Sequence, residues 1–247
     1  PLLYPHFDEL LDMIHLYGFS CQLVTNGYYL DKYLDKISKY NIDITISIDG
    51  TADVHNKIRN NPNAFEKAKE AMDRIKTLQR SGSKIKLMTN FVITPDNLDN
   101  MRDFHLFIKN YNLGLTIQHL QFASKELTEE TNLLWQKYFG ENFHTQLIPR
   151  KKYEFNKEYT NKLFNSIEQI KKEFGREING FVVPFLEKDE ITKYYLEEDI
   201  DSVRAHLTCT KPWFNPTIYP NGDILGCIGC VIGNIKDQSF MDIWYGE

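Results

Sequence analysis

The sequence predicts an α/β fold built on a parallel sheet, and three observations predict it. Segments with apolar residues at helical spacing alternate four times with short β-branched runs, and parallel strands need crossover connections of this kind. Each predicted strand ends in polar residues: Thr25 and Asn26, Ser47 and Asp49, Asn90, then Gln118 and His119. Parallel sheets bind ligands outside those carboxyl ends, so these residues form one candidate rim. Finally, Cys209, Cys227 and Cys230 gather around a Pro220-Asn221-Gly222 turn near the carboxy terminus, which marks a small second module.

Between His6 and Tyr17, the residues Phe7, Leu10, Leu11, Ile14 and Tyr17 recur at helical spacing, and Gly18 follows where a helix stops. Ser20 to Val24 reads as a short buried strand ended by Thr25-Asn26-Gly27. Leu30, Leu34, Ile37 and Tyr40 mark a second amphipathic helix, and Asp43 to Ile48 is a β-branched strand closed by Asp49-Gly50. A third helix spans Ala64 to Arg80 and stops near Gly82; the strand Lys84 to Ile93 follows. Asp96 is placed to cap a helix running to Tyr111, and Gly114 to Leu120 supplies the fourth strand. Leu127 to Gly140 and Glu158 to Gly175 read as helices, with Arg150-Lys151-Lys152 as a solvated basic corner between them. Glu187 to Asp201 is a charged, partly helical bridge. Beyond it Thr217 to Tyr219 and Asp223 to Leu225 flank the Pro-Asn-Gly turn as a hairpin, which would return Cys209 towards Cys227 and Cys230.

At 247 residues the chain can hold one large domain and a small appendage, and 42% hydrophobic content excludes a disordered chain. A net charge of −5 gives no global attraction to phosphate backbones, so no nucleic-acid partner is expected. No apolar run approaches the roughly 20 residues of a membrane span, and no charged-then-apolar leader opens the chain. The expectation is a cytoplasmic protein without a membrane partner. Crowded cysteines favour reduced thiols holding a metal over a disulfide framework.

The sequence holds no Gly-rich phosphate loop, no Gly-x-Ser-x-Gly elbow and no carboxylate pair spaced as an acid and base. Its informative constellation is Ser47-Ile48-Asp49-Gly50 with His55 and Arg59 in the following loop. A hydroxyl and a guanidinium at one strand end can hold a ligand carboxylate. His55 and Arg59 could equally cap the next helix or pair with neighbouring acids. Three soft thiolates make Cys209, Cys227 and Cys230 a candidate metal or cluster site. His206-x-x-Cys209 with Cys227-x-x-Cys230 also fits a structural zinc site of three cysteines and one histidine, and the tail would then be a metal-stapled binding module. The aromatic stretch Tyr153 to Phe164, with Tyr194-Tyr195, is either a substrate groove or ordinary core.

On these residues the chain resembles the radical S-adenosylmethionine (SAM) enzymes. Pro1-Leu2-Leu3-Tyr4-Pro5 looks like the tail of that family's Gly-Gly-Glu-Pro motif, with only its proline retained. Thr25-Asn26-Gly27, Ser47-Ile48-Asp49-Gly50 with His55 and Arg59, and Asn90-Phe91-Val92 with Asn97 fall in the family's order. The C-terminal segment is similar to a SPASM or twitch domain: Cys209, Gly222 and Cys227 match its opening signature, and Gly233-Asn234 with Ile243-Trp244 match the run that follows.

The resemblance implies a partial (β/α)6 TIM-type barrel over 1–125, a helical bridging region over 126–205 and a small hairpin and helix domain for an auxiliary cluster over 206–247. It implies SAM and a [4Fe-4S] cluster at the carboxyl rim, an auxiliary [4Fe-4S] cluster in the tail, and an electron donor such as flavodoxin or ferredoxin. The implied reaction is hydrogen abstraction by a 5′-deoxyadenosyl radical, from a peptide or protein side chain by default. By motif, Ser47 and Arg59 would meet the methionyl carboxylate or ribose of SAM, Asn90 the ribose and Leu120 the adenine. Pro1 and Asn26 fall at further cofactor-binding positions, while Asp49 and Gln118 would face the reaction space as catalytic candidates. Cys209, Cys227 and Cys230 would ligate the auxiliary cluster. The family's Cys-x-x-x-Cys-x-x-Cys loop does not occur, and the one other cysteine is Cys21. The expectation is that this loop and the first strands precede Pro1, so that the fragment alone does not generate the radical. A degenerate barrel kept as a scaffold is the competing reading.

Overall fold

Period-two alternation decides the architecture around the rim. In the computed structural model, which describes residues 1–40, 42–123, 125–140, 148–149, 153–174, 181–183, 186–197, 210–227 and 230–246, the chain forms two compact units. One comprises Pro1–Leu120 and Glu158–Lys188, the other Gln121–Lys157 and Asp189–Glu247. Arg150-Lys151-Lys152, the end of the acidic bridge at 198–201, His206 and Cys209 lie outside the described residues.

In the first unit, β1 (Cys21–Thr25), β2 (Ile42–Ser47), β3 (Leu87–Ile93), β4 (Gly114–His119) and the strand Phe181–Val183 make one parallel sheet in that order. Paired residues of parallel strands point to the same side, so the register sorts the side chains. Val24, Thr45, Ser47, Met88, Asn90, Val92, Thr116 and Gln118 share one face; Leu23, Ile44, Ile46, Leu87, Phe91, Ile93, Leu115 and Ile117 share the other. The second face is fully buried. The first stays largely half-exposed, and Ser47, Asn90 and Gln118 stand on it.

The helices of this unit carry the apolar stripe that a sheet-packed helix needs. α1 (Phe7–Leu16) buries Phe7 and Leu11, although Leu10, Met13 and Leu16 are exposed. Two short helices, α2 (Leu34–Ile37) and α3 (Ala52–Ile58), precede α4 (Ala64–Arg80), which buries Ala64, Phe65, Ala68, Ala71, Met72 and Ile75. α5 (Met101–Asn110) buries Met101, Phe104, His105 and Ile108. The helix Lys157–Phe174, which buries Thr160, Leu163, Ile167 and Ile170, is joined to the α5 region by Arg102–Glu173 (2.8 Å) and Lys162–Asp99 (2.5 Å).

Three local expectations are corrected. Leu30 to Tyr40 is not one α-helix: a 3-10 turn, Leu30–Tyr33, precedes α2, and the spacing of the buried Leu30, Tyr33, Leu34 and Ile37 suits that tighter winding. Asp96 does not begin α5, because Asn97 folds its side chain back to accept the Thr94 N–H (2.7 Å), and a 3-10 turn at Leu98–Asn100 leads into the helix. His55 and Arg59 are not in a loop, since α3 carries His55 and ends at Arg59.

The second unit has its own core, in which Phe122 packs against Phe155 (5.1 Å between ring centroids), Tyr194 (5.5 Å) and Tyr195 (5.6 Å). Tyr194 and Tyr195 are buried, which places them in this core and not along an open groove. Its C-terminal part is an antiparallel sheet of Thr217–Ile218, Asp223–Cys227 and Cys230–Asn234, followed by the helix Phe240–Tyr245. The Pro-Asn-Gly hairpin is therefore present, with Gly222 at φ +97° and the Gly222 N–H donating to the Tyr219 carbonyl (2.9 Å). The second hairpin strand, Cys230–Asn234, goes beyond the sequence reading.

Candidate functional site

The Thr25-Asn26-Gly27 turn ends β1 by local hydrogen bonds. The Thr25 hydroxyl accepts the Gly27 N–H (3.1 Å) and Asn26 Oδ1 accepts the Tyr28 N–H (3.1 Å). Glycine is required at position 27, where φ is +81° and a Cβ would stand 3.0 Å from the Ala68 backbone. The turn thus seats on α4 and leaves the Asn26 side chain at the rim.

The end of β2 is fixed more heavily. The Asp49 N–H donates to His55 Nδ1 (3.0 Å), and the Asp49 carbonyl accepts from Asn97 Nδ2 (3.0 Å). Asn97 Nδ2 also reaches the Val92 carbonyl (2.9 Å), so one buried amide ties the ends of β2 and β3. Gly50 follows at φ +155°, where a Cβ would lie 2.6 Å from Asn100 Oδ1. That amide accepts the Thr51 N–H (2.6 Å) and donates to the Thr51 hydroxyl (2.9 Å).

Asp49 is only 5% exposed, and its Oδ2 lies 2.6 Å from Arg59 Nε in a close ion pair whose N–H is not aligned on the oxygen. Burial pushes the Asp49 carboxyl above its ordinary range, and the Arg59 charge opposes that shift. Burial, then the Arg59 charge, pushes His55 down to about 4, so its imidazole is neutral and can accept at Nδ1.

Pro1, Asn26, Ser47 and Arg59 line one cavity of about 320 Å³, together with Val24 and Tyr29. Four of the six residues expected to bind a cofactor therefore meet at one place. The fifth, Asn90, stands opposite Ser47 in the β2–β3 register; its Nδ2 donates to Gln118 Oε1 (3.3 Å) and its Oδ1 is buried without a hydrogen-bond partner among the described residues. Leu120 is buried just after β4. Cys21 begins β1, at the end of the sheet away from this rim.

In the second unit Cys227 and Cys230 are register partners across adjacent strands, both as free thiols. Burial and the neighbouring Cys227 push the Cys230 thiol up, so a cation is the natural means of holding it as thiolate. Two cross-strand sulfurs fit an iron–sulfur or zinc ligand pair. Asn234 braces this hairpin: its Nδ2 donates to Asp223 Oδ1 (2.8 Å) and to the Asn221 carbonyl (3.3 Å). Gly233 packs closely beside it: a Cβ there would lie 2.8 Å from the Ile243 side chain. Among the described residues no three His, Cys, Asp or Glu side chains form a metal-binding group, and no helix is long and apolar enough to cross a membrane.

Sequence reasoning missed the Asp49–Arg59 contact as such, having left Arg59 open to any acid. The signal was the spacing of His55 and Arg59, four apart and so stacked on one helical face.

The radical SAM superfamily model matches residues 1–108, and the SPASM model, an iron–sulfur cluster-binding domain, matches 209–247. No curated protein gives a significant match. Streptococcus suis SuiB superposes with a TM-score of 0.63 at 15% identity, over 99% of this chain and 53% of its own. The anSMEcpe structure with bound AdoMet gives 0.59 at 14% identity, over 98% and 59%, and anSMEcpe with AdoMet and the Cp18Cys peptide gives 0.57 at 12%, over 98% and 63%. The chain thus spans about half the length of SuiB, and these likenesses establish the fold: a partial TIM-type α/β core and a separate small antiparallel sheet. The chain carries a radical SAM superfamily domain over residues 1–108 and a SPASM-type iron–sulfur cluster-binding domain over 209–247.

Proposed function

We propose that the rim cavity binds SAM and that the chain is part of a radical SAM enzyme that abstracts hydrogen from a peptide or protein side chain. The observation that carries this reading is the convergence of Pro1, Asn26, Ser47 and Arg59 on one cavity at the carboxyl ends of parallel strands. Ser47 and Arg59 supply a hydroxyl and a guanidinium for the methionyl carboxylate or the ribose. Asn90, with its buried Oδ1 seeking a donor, suits a ribose hydroxyl, and Leu120, buried just after β4, is the candidate to pack against the adenine. Gln118, on the same open face, is the candidate to meet substrate. Ser47, Arg59 and Asn90 would hold and orient SAM and exclude water from it, and SAM with its cluster would supply 5′-deoxyadenosyl radical chemistry.

Cys227 and Cys230, with Cys209, are the proposed ligands of an auxiliary [4Fe-4S] cluster. The rim cluster would draw its ligands from outside the four cysteines of this chain, and electrons from a flavodoxin or ferredoxin. In this reading 1–125 holds SAM, 126–205 bridges and 206–247 holds the auxiliary cluster, in a reducing cytoplasmic setting. The peptide bound to the similar anSMEcpe supports a peptide substrate here.

Equilibrium dialysis of the anaerobically reconstituted full-length protein tests the site. Ser47→Ala with Arg59→Ala is expected to weaken SAM binding by a factor of about 100, as the loss of hydrogen bonds to a charged group implies, and to leave tail iron unchanged. Unaltered SAM affinity would overturn the assignment.

A further inference from the structure

We propose that Asp49 is a positioning residue: fixed by His55 and Asn97, it occupies the Nε edge of Arg59 and leaves the terminal Nη pair to receive the carboxylate of the ligand end-on. The inference rests on the reading of the rim cavity as a SAM site and gives Asp49 a task other than contact with the reacting atoms.

A guanidinium offers a carboxylate two forks, one formed by Nε with a terminal nitrogen and one by the two terminal nitrogens. The Asp49 Oδ2 stands 2.6 Å from Nε, on the first of these edges. The Arg59 side chain is 36% exposed and lines the cavity, so the contact with Asp49 leaves part of it accessible to a ligand.

Asp49 can do this because its own backbone is fixed on both sides. Its N–H is tied to His55 Nδ1 and its carbonyl to Asn97 Nδ2, and Gly50 beyond it has no room for a side chain. His55 is fully buried one helical turn before Arg59, whose N–H donates to the His55 carbonyl (2.9 Å). One turn of helix therefore carries both the acceptor that fixes Asp49 and the guanidinium that Asp49 holds, which closes a ring of contacts. A flexible arginine held this way loses less freedom when the ligand binds.

The test compares SAM with its decarboxylated analogue by equilibrium dialysis in the reconstituted full-length protein. Asp49→Asn should weaken SAM binding tenfold to a hundredfold, down to the affinity of the analogue, while analogue affinity stays unchanged. His55→Leu should act in the same direction. His55→Asn, which keeps an acceptor near the Nδ1 position, should restore discrimination. In an Arg59→Lys background Asp49→Asn should add little, since the two act through one contact. Equal loss of both probes in Asp49→Asn would mark a general structural role, and no loss of SAM would show that Arg59 needs no support; either overturns the proposal. A wild-type protein that binds neither probe would instead remove the SAM-site reading itself, and the proposal with it.

Discussion

The rim of the parallel sheet and the C-terminal hairpin both present polar groups at a turn, yet they hold them by different physics. At the rim, Asp49, His55 and Asn97 are all buried, the last two hydrogen-bonded to the Asp49 backbone, within a unit whose sheet face is fully buried. In the hairpin region the buried side chains among the described residues from 210 onward reduce to Ile224 and Leu225, and the helix Phe240–Tyr245 buries none. A module with so little core needs a staple, and cross-strand thiols supply the place for one. The rim is preorganised by folding; in the proposed reading the hairpin completes its order through a metal.

The sharpest way to break that contrast is to remove the staple. Cys227→Ser with Cys230→Ser should abolish iron retention in the tail, and hydrogen exchange should lose protection across Asp223–Asn234 while β2 and β3 keep theirs. Unchanged iron content, or undiminished hairpin protection, would show that the tail folds on its own contacts.

Acid provides the second test, directed at the rim unit. His55 and His119 are both pushed down to about 4, chiefly by burial, from an ordinary value of 6.5. Above pH 6.5 neither the folded nor the unfolded chain protonates them, so their contribution to stability is complete. Between pH 6.5 and 4 the unfolded chain takes up protons that the folded one refuses, and stability falls as pH falls, by on the order of 3 kcal/mol for each histidine. Asp49, whose carboxyl is raised, opposes this at the acid end, because there the folded state binds a proton first. Urea unfolding of the rim unit should show midpoints declining from pH 7 to pH 4.5. A flat profile would mean that these imidazoles are not the buried neutral groups their surroundings make them.

The four rim strands were legible because β-branched runs between turn residues have few other ways to fold, and the strand ends then pointed to Asn26, Ser47 and Asn90 without further information. α3 was hidden because its apolar stripe is only Val54 and Ile58, and its buried member is a histidine, which in sequence reads as a loop residue. That omission concealed the Asp49–Arg59 contact, which depends on the helical turn between His55 and Arg59. The strand Cys230–Asn234 was hidden for another reason: Gly233 and Asn234 have low strand propensity, and the pairing with Asp223–Cys227 is interrupted by register shifts. Its pairing rests on a glycine that admits Ile243 and an asparagine that braces a turn, which are tertiary demands.

Glycines give the finest comparison, since each region has one that stands close against a neighbour. At Gly50 an added methyl meets three obstacles: a backbone at φ +155°, the Asn100 amide oxygen at 2.6 Å and the Val54 Cβ at 2.9 Å. Asn100 is held by two hydrogen bonds to Thr51 and cannot retreat without breaking them, so Gly50→Ala should destabilise the rim unit by about 3 kcal/mol. At Gly233 the methyl meets only side-chain atoms of Ile243, from 2.8 Å, on a helix with no buried residues. A side chain can rotate away, so Gly233→Ala should cost about 1 kcal/mol, felt in the tail alone. Thermal unfolding of both variants, followed by hydrogen exchange at each site, measures the two effects in one protein. The order reverses only if the rim has slack that its hydrogen bonds do not show, or if the tail is packed more tightly than its exposed surface indicates.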